Sequence, residues 1–225
     1  RIFKKIRSKA SLEVLNRYAS LSEFKRVRLE TLRELIRKSS KGHHGIREAQ
    51  MLKDLHSSSI GIDSSALSFS IKQTIKRILM IKDQACDIEL EITHHVDESQ
   101  TTLLSVPGIG YTTGAIILAE IGDIHRFKTD DQLLAYAGLD PSVYQSGNFE
   151  GSYKISKRGS SILRFAIYHV AQVAVKFDPV FKAYYLKKKA EGKRHRVIIG
   201  HVTKKLMRVI RSILKNNSTY SINTH

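Results

Sequence analysis

Leu67, Ile71, Thr74, Ile78, Ile81, Ala85, Ile88 and Ile92 succeed one another in alternating steps of four and three. Residues at those spacings share one face of a helix, so the series draws a single seam through about three and a half heptads. Two readings fit this seam: a coiled coil or long helical hairpin, and a long amphipathic helix laid on its own domain. Ser64 stands where an N-cap is needed ahead of it. His94 and His95 end the helix beside Asp97 and Glu98. Adjacent histidines point in different directions on a helix, so this reads as a solvated end, not a metal site. His43 and His44, in a glycine-flanked linker, read the same way. Residues 1–60 are basic and mostly helical, with Leu29, Leu32, Leu35 and Ile36 at helix spacing and a break at Gly42 and Gly45.

Charge narrows the choice of partner. The chain carries 38 Lys and Arg against 21 Asp and Glu, a formal net charge of +17 over 225 residues. Such an excess answers a polyanion, and nucleic acid is the leading one. A membrane is the competitor, but no apolar run approaches the roughly 20 residues a span needs. Cys86 is the single cysteine, which excludes an internal disulfide and a cysteine-based zinc site and fits a reducing cytoplasm.

From Thr101 the texture changes. "LLSVPGIGYTTGAIILAEIGD" reads as an apolar helix end, a proline-glycine turn and a second apolar helix closed by Gly122, the pattern of a helix-hairpin-helix. Gly108 and Gly110 would let backbone approach a phosphate, and the following helix would offer free N–H groups. The bland alternative is a tight turn that only packs. Asp130 or Asp131 can cap "DQLLAYAG", with Gly138 as its stop. "LDPSVYQSGNFEGSYKIS" reads as an irregular loop or short hairpin, and "SSILRFAIYHVAQVAVKF" as a core helix broken at Asp178-Pro179. A last helix, starting near Arg196, buries Ile199, Val202, Leu206, Val209 and Ile213 on one stripe. On another it carries Lys204, Arg208, Arg211 and Lys215, a track for a phosphate backbone.

The stretch from Ser142 to Ser161 combines Ser142, Ser146, Ser152, Ser156, Ser160 and Ser161 with cations. A serine that attacks a phosphodiester forms a covalent phosphoserine, which conserves the bond energy for rejoining strands. Cations must offset the charge developing on phosphorus, and Lys154, Lys157, Arg158 and Arg164 are at hand. Spacing does not select among the six serines, each of which has turn or cap duty as its alternative.

The run "LLSVPGIGYTTGAIILAEIGD…FKTDDQLLAYAGLDPSVYQSGNFEGSYKISKRGSSILRFAIYHVA" resembles the carboxy-terminal transposase domain of the bridge-RNA-guided insertion-sequence transposases, relatives of the Piv and MooV DNA invertases. The likeness extends over residues 100–215, and the heptad helix resembles that family's coiled-coil linker. In the family the serine of a tyrosine-x-serine-glycine element is the nucleophile; here the element is "YQSG", Tyr144 to Gly147, which selects Ser146. A downstream serine-lysine-x-glycine element is matched by Ser156, Lys157 and Gly159, with Leu163 and Arg164 following.

The resemblance implies DNA transposition or site-specific recombination, DNA and a guide (bridge) RNA as partners, and a homodimer or tetramer assembled through the coiled coil. It also implies magnesium, held by the acidic tetrad of an N-terminal RuvC-like nuclease domain with no counterpart in this sequence. The expectation is therefore that the chain holds no cofactor itself and that it is a truncated reading frame, a cloned fragment or part of a larger protein, inactive alone. The alternative is an inactive, nucleic-acid-binding derivative. The expected fold is mainly α: a basic helical and coiled-coil region over 1–99, then a compact helical transposase domain over 100–225 containing the helix-hairpin-helix. The expected location is the cytoplasm, with the nucleoid.

Overall fold

The computed structural model describes residues 8–58, 63–142, 145–146, 149–150 and 154–222; of residues 56–58, 142, 145, 146, 149, 150 and 154 it describes the backbone. The fold is mainly α, with short paired strands in one loop. The chain divides into two units, residues 1–87 and 88–225, and the division falls inside a helix.

In the first unit α1 (Lys9–Arg17), α2 (Leu21–Arg26), α3 (Leu29–Ser39) and α4 (Ile46–Ser58) close around Val14, Leu32, Leu35, Ile36 and Ala49. Leu32, Leu35 and Ile36 face inward as their spacing predicts. Ser20 and Glu23 form a reciprocal capping box at the start of α2. Lys72 also donates to Glu23, and this bond, with the amides of Ala19 and Ser20, holds the Glu23 carboxyl below its ordinary range against the opposing effect of burial.

The heptad helix is α5 (Ser65–Glu98), and Ser64 caps it, its hydroxyl accepting from the Leu67 amide at 3.3 Å. Leu67, Ile81 and Ile88 remain 61, 59 and 60% exposed, so at these positions the seam is not laid on the protein's own surface. Ile75 and Val96 are the buried residues of α5, and neither is one of the seam positions.

The second unit is organised around α8 (Ser161–Phe177), which packs against α6 (Tyr111–Ile121), α9 (Pro179–Ala190) and α10 (His195–Asn216). Leu163, Ala166, Ile167, Val170, Ala171 and Ala174 of α8 are all buried. Three of these are alanines, which let neighbouring elements approach the helix closely. Asp178 ends α8 and begins α9: its Oδ1 accepts from the Phe181 amide at 2.9 Å, and Pro179 takes the first helical position, where no N–H is needed. Its Oδ2 accepts from the Tyr220 hydroxyl at 2.7 Å. Burial, reinforced by that carboxylate, pushes the Tyr220 pKa well up. On α10 the predicted apolar stripe is buried, joined by Met207 and Ile210.

Several local expectations give way. The segment ahead of the glycine turn is a single 3-10 turn, Thr102–Ser105, rather than a helix end. Val106 is extended (φ −77°, ψ 124°) because a residue preceding proline is disfavoured in helical backbone. The cap of α7 (Asp130–Tyr136) is Thr129, whose side chain accepts from the Gln132 amide at 3.3 Å, not Asp130 or Asp131. Asp130 instead pairs with Arg211 at 2.9 Å.

The serine-rich loop is a nested hairpin. β1 (Pro141–Ser142) pairs antiparallel with β4 (Lys154–Ile155), and inside it β2 (Gln145–Ser146) pairs with β3 (Phe149–Glu150). Backbone bonds tie its base to the end of α7: Ser156 N to Asp140 O at 2.8 Å, Lys157 N to Gly138 O at 3.0 Å, and Ser160 N to Tyr136 O at 2.7 Å. Gly159 makes this docking possible, since a Cβ there would lie 1.9 Å from the Tyr136 carbonyl oxygen and 2.6 Å from the Gly138 nitrogen. Both obstacles are backbone and neither can rotate away. Gly159→Ala is therefore expected to destabilise the second unit by about 1–3 kcal/mol, the usual range for overpacking. Thermal unfolding followed by circular dichroism would read this as a midpoint several degrees lower; an unchanged midpoint would show that the loop reseats without strain.

Candidate nucleic-acid interface

The hairpin, the loop from Ser156 to Ser160 and the amino-terminal ends of α8 and α10 come together in the second unit. Among the serines, two have structural duties. Ser156 donates to Asp140 Oδ1, and Ser160 donates to Glu120 Oε2 at 2.6 Å while accepting from the Leu163 amide as the cap of α8. Ser161 is exposed at the first turn of α8. Ser146 occupies β2 opposite Phe149. Tyr144, Gly147 and Ser152 lie outside the described residues, as do the side chains of Ser142, Ser146 and Lys154.

The candidate cations divide into free and engaged. Lys157 and Arg158 are exposed beside the hairpin, and Lys157 holds a left-handed backbone (φ 57°), which a side-chain-bearing residue adopts at a cost of about 1–2 kcal/mol. Arg164 is partly buried, donating to the Ala137 carbonyl at 2.8 Å. It thus seals the end of α7 as well as contributing charge. On α10, Arg208 and Lys215 are exposed and Lys204 is partly so. Arg211 departs from the expected track. It donates to Asp130, to Phe127 O at 3.0 Å and to Lys128 O at 2.6 Å, and its Nε is buried with no partner among the described residues. A guanidinium spent on internal carbonyls is a clamp between α10 and the start of α7, not a phosphate contact.

The two hairpin glycines also part ways. Gly108 (φ 95°) does permit a close approach, but to α8: a Cβ there would stand 2.9 Å from the Val170 carbonyl oxygen and 3.0 Å from Val173 Cβ. Gly110 faces open space at the start of α6. One of the amides at this helix start is already engaged, since Gly110 N donates to Thr113 Oγ1 at 3.0 Å. The tight-turn function therefore accounts for Gly108, and an exposed helix start remains at Gly110.

A cleft of about 640 Å³ opens at the foot of the hairpin, between the amino-terminal halves of α8 and α10. Ile155, Phe165, Tyr168 and Val197 supply apolar lining, and Arg164, Arg196 and Lys204 add cations to it. His201 lies in it too; burial, and then Lys193, Lys188 and Lys204, push its pKa below the ordinary imidazole value. The sequence contained a signal for this wall that spacing alone did not single out: steps of four backward from Lys204 reach Gly200 and Arg196. Among the described residues, no three of His, Cys, Asp and Glu converge as a metal-binding group, and no helix is long and apolar enough to cross a membrane.

Residues 100–186 match the model of the transposase family described as IS116/IS110/IS902. This span runs from the 3-10 turn through the hairpin and α8 into α9, and so includes most of the surfaces just described. The likeness to this transposase family lies in residues 100–186. The chain is also similar to an uncharacterized 42 kDa protein of insertion element IS900 from Mycobacterium paratuberculosis, at 34% identity over 52% of this chain and 30% of that protein. It is similar to the transposase of insertion sequence element IS1111A from Coxiella burnetii, at 37% identity over 44% of this chain and 28% of the relative. A pilin gene-inverting protein of Moraxella bovis shares 29% identity over 60% of this chain and 43% of its own length. The matched part is thus less than half the length of each of these three relatives.

Lys157 offers a way to separate charge from conformation. Replacement by glycine removes a left-handed cost of about 1–2 kcal/mol but adds about 0.5–1 kcal/mol of chain entropy, and the first exceeds the second. Lys157→Gly should therefore unfold at a temperature no lower than the parent. If the exposed loop cation meets phosphate, the same variant should bind duplex DNA more weakly, with the slope of log K against log salt reduced by about one. Fluorescence anisotropy across a salt series, beside a melting curve, checks both.

Proposed function

We propose that this chain is the DNA-handling part of an insertion-sequence transposase or site-specific recombinase, with Ser146 as its nucleophile. The observation that carries this reading is the family match over residues 100–186, which includes the "YQSG" element and the loop on which it is mounted. In the proposed step the Ser146 oxygen attacks a DNA phosphorus and gives up its proton. The bond from phosphorus to the departing deoxyribose oxygen breaks, that oxygen is protonated, and a phosphoserine linkage remains. Attack of a strand-end hydroxyl on this linkage reverses the chemistry and joins strands, so no external energy source is needed. Lys157 and Arg158, exposed beside the hairpin, would offset charge on the phosphate oxygens.

The proposal extends to partners. A guide RNA would choose the DNA sites, and the free cations of the loop and α10 would hold nucleic acid through its backbone. Magnesium would be held by an acidic nuclease domain outside this chain; within it, Glu120 and Asp140 accept from Ser160 and Ser156 and form no cluster. The open seam of α5 supports a second copy, because exposed Leu67, Ile81 and Ile88 recur at coiled-coil spacing.

Trapping tests the chemistry. The full-length transposase, incubated with labelled donor and target DNA, guide RNA and magnesium and quenched in denaturant, should yield a covalent protein–DNA adduct. Ser146→Ala should abolish the adduct and leave DNA affinity within about twofold. An adduct that survives the substitution would remove Ser146 from the role. DNA binding without any adduct from the unaltered full-length protein would favour a binding-only derivative.

The seam carries its own prediction. Ile81→Lys with Ile88→Lys places two charges one heptad apart on the proposed contact and should convert a dimer or tetramer to monomers in sedimentation velocity, with helix content unchanged. Retention of the parent mass would place the self-association elsewhere.

A further inference from the structure

We infer that the cleft between α8 and α10 receives one unpaired nucleotide of the DNA strand on which Ser146 acts, an inference that rests on the reading of Ser146 given above. The cleft begins where the hairpin ends: Ile155, in the strand paired with Pro141, forms part of its wall. A strand presented to the hairpin therefore passes its mouth. Its volume of about 640 Å³ is within the range of sites that enclose small ligands, roughly 300–1,000 Å³. A paired, stacked base cannot enter a pocket of this kind; an unpaired one can turn its flat face to an aromatic wall.

The side chains suit such an occupant. Phe165 is 61% exposed, two residues on from the buried Leu163 and so on the opposite side of α8, and its ring meets that of His169 edge to face at 4.4 Å between centroids. Tyr168 completes the aromatic wall. Gly200, opposite on α10, has no atom within 4 Å of where a Cβ would stand, which leaves the space between the helices clear. Cations are at hand for a backbone phosphate: Arg196 and Lys204 both line the cleft. Ahead of Arg196 the end of α9, the turn and the start of α10 read "KKKAEGKRHR"; Lys193 and Lys188 are near enough to act on His201 inside the cleft, as is Glu191, which pairs with Lys188 at 2.8 Å. An apolar, aromatic lining with Arg196 and Lys204 in it, and a net excess of cations over the one carboxylate, Glu191, that acts on His201, fits a base attached to its phosphate. It does not fit a neutral lipid or a peptide lacking negative charge.

The probes are a fluorescein-labelled 20-nucleotide single-stranded DNA, the same sequence as a blunt duplex, and the same sequence as RNA, compared at one salt concentration. Phe165→Ala removes the exposed ring, and Gly200→Leu fills the space without meeting a neighbour in its first atom. Each should weaken single-stranded DNA binding about tenfold, in keeping with loss of one stacked base, and leave duplex binding within about twofold. Ser146→Ala should leave all three affinities unchanged, so failure of the serine chemistry and failure of the cleft are read in different experiments. In a duplex with 2-aminopurine opposite an abasic position, the parent should quench the probe and Gly200→Leu should not. Equal weakening of duplex and single strand would make the cleft part of a general phosphate track and overturn the inference. So would no weakening at all, or a Phe165-dependent preference for the RNA.

Discussion

The second unit depends on one backbone meeting another. Where the loop from Ser156 to Ser160 crosses the end of α7, Gly159 approaches the Tyr136 carbonyl and the Gly138 amide too closely for any side chain to intervene. The loop amides of Lys157 and Ser160 are then satisfied by α7 carbonyls, and buried carbonyls at a helix end acquire partners they would otherwise lack. The hairpin that carries Ser146 leaves the fold from this junction, and α8 enters it from the same place. A strained torsion at Lys157 persists because the bonds on either side leave it no alternative.

From that junction α8 distributes order to the rest of the unit. Its amino-terminal turn is capped by Ser160, which also reaches Glu120 at the end of α6, so the hairpin, α6 and α8 share one serine. Its middle is buried on several sides, and its end is closed by Asp178. Arg211 performs a similar service from α10, joining the segment at Phe127 and Lys128 to the carboxylate of Asp130. These clamps leave one side of the amino-terminal half of α8 unoccupied, and the cleft is the space that remains.

Periodicity made the helices legible in the sequence. The α5 seam, the buried stripe of α10 and the inward leucines of α3 are all local patterns, set by which residues share a helix face. Stops were legible for the same reason, since Gly138 and Asp178-Pro179 act on the residues next to them. What escaped was whatever depends on a distant segment. Spacing put Arg211 on the same face as Lys204 and Arg208, but it could not say that residues 127–130 would lie over that part of the face. Local pattern offered Asp130 or Asp131 as the cap of α7, whereas Thr129 is the cap and Asp130 is engaged by an arginine 81 positions away. The resemblance selected Ser146 among six serines; spacing did not, and the carboxylate partners of Ser156 and Ser160 come from elements far along the chain.

Asp178 shows how such distant ties constrain change. One carboxylate starts α9 with one oxygen and holds the half-buried phenol of Tyr220 with the other. Losing the aspartate would uncap a helix and take an acceptor from the hydroxyl in the same event, whereas losing the hydroxyl would take a donor from a buried carboxyl oxygen. The two effects do not add as independent losses. Replacing Tyr220 by Phe therefore costs less when position 178 already carries a neutral capping residue than when it carries the aspartate. The pair thus behaves as a single unit of stability, although its halves stand 42 positions apart.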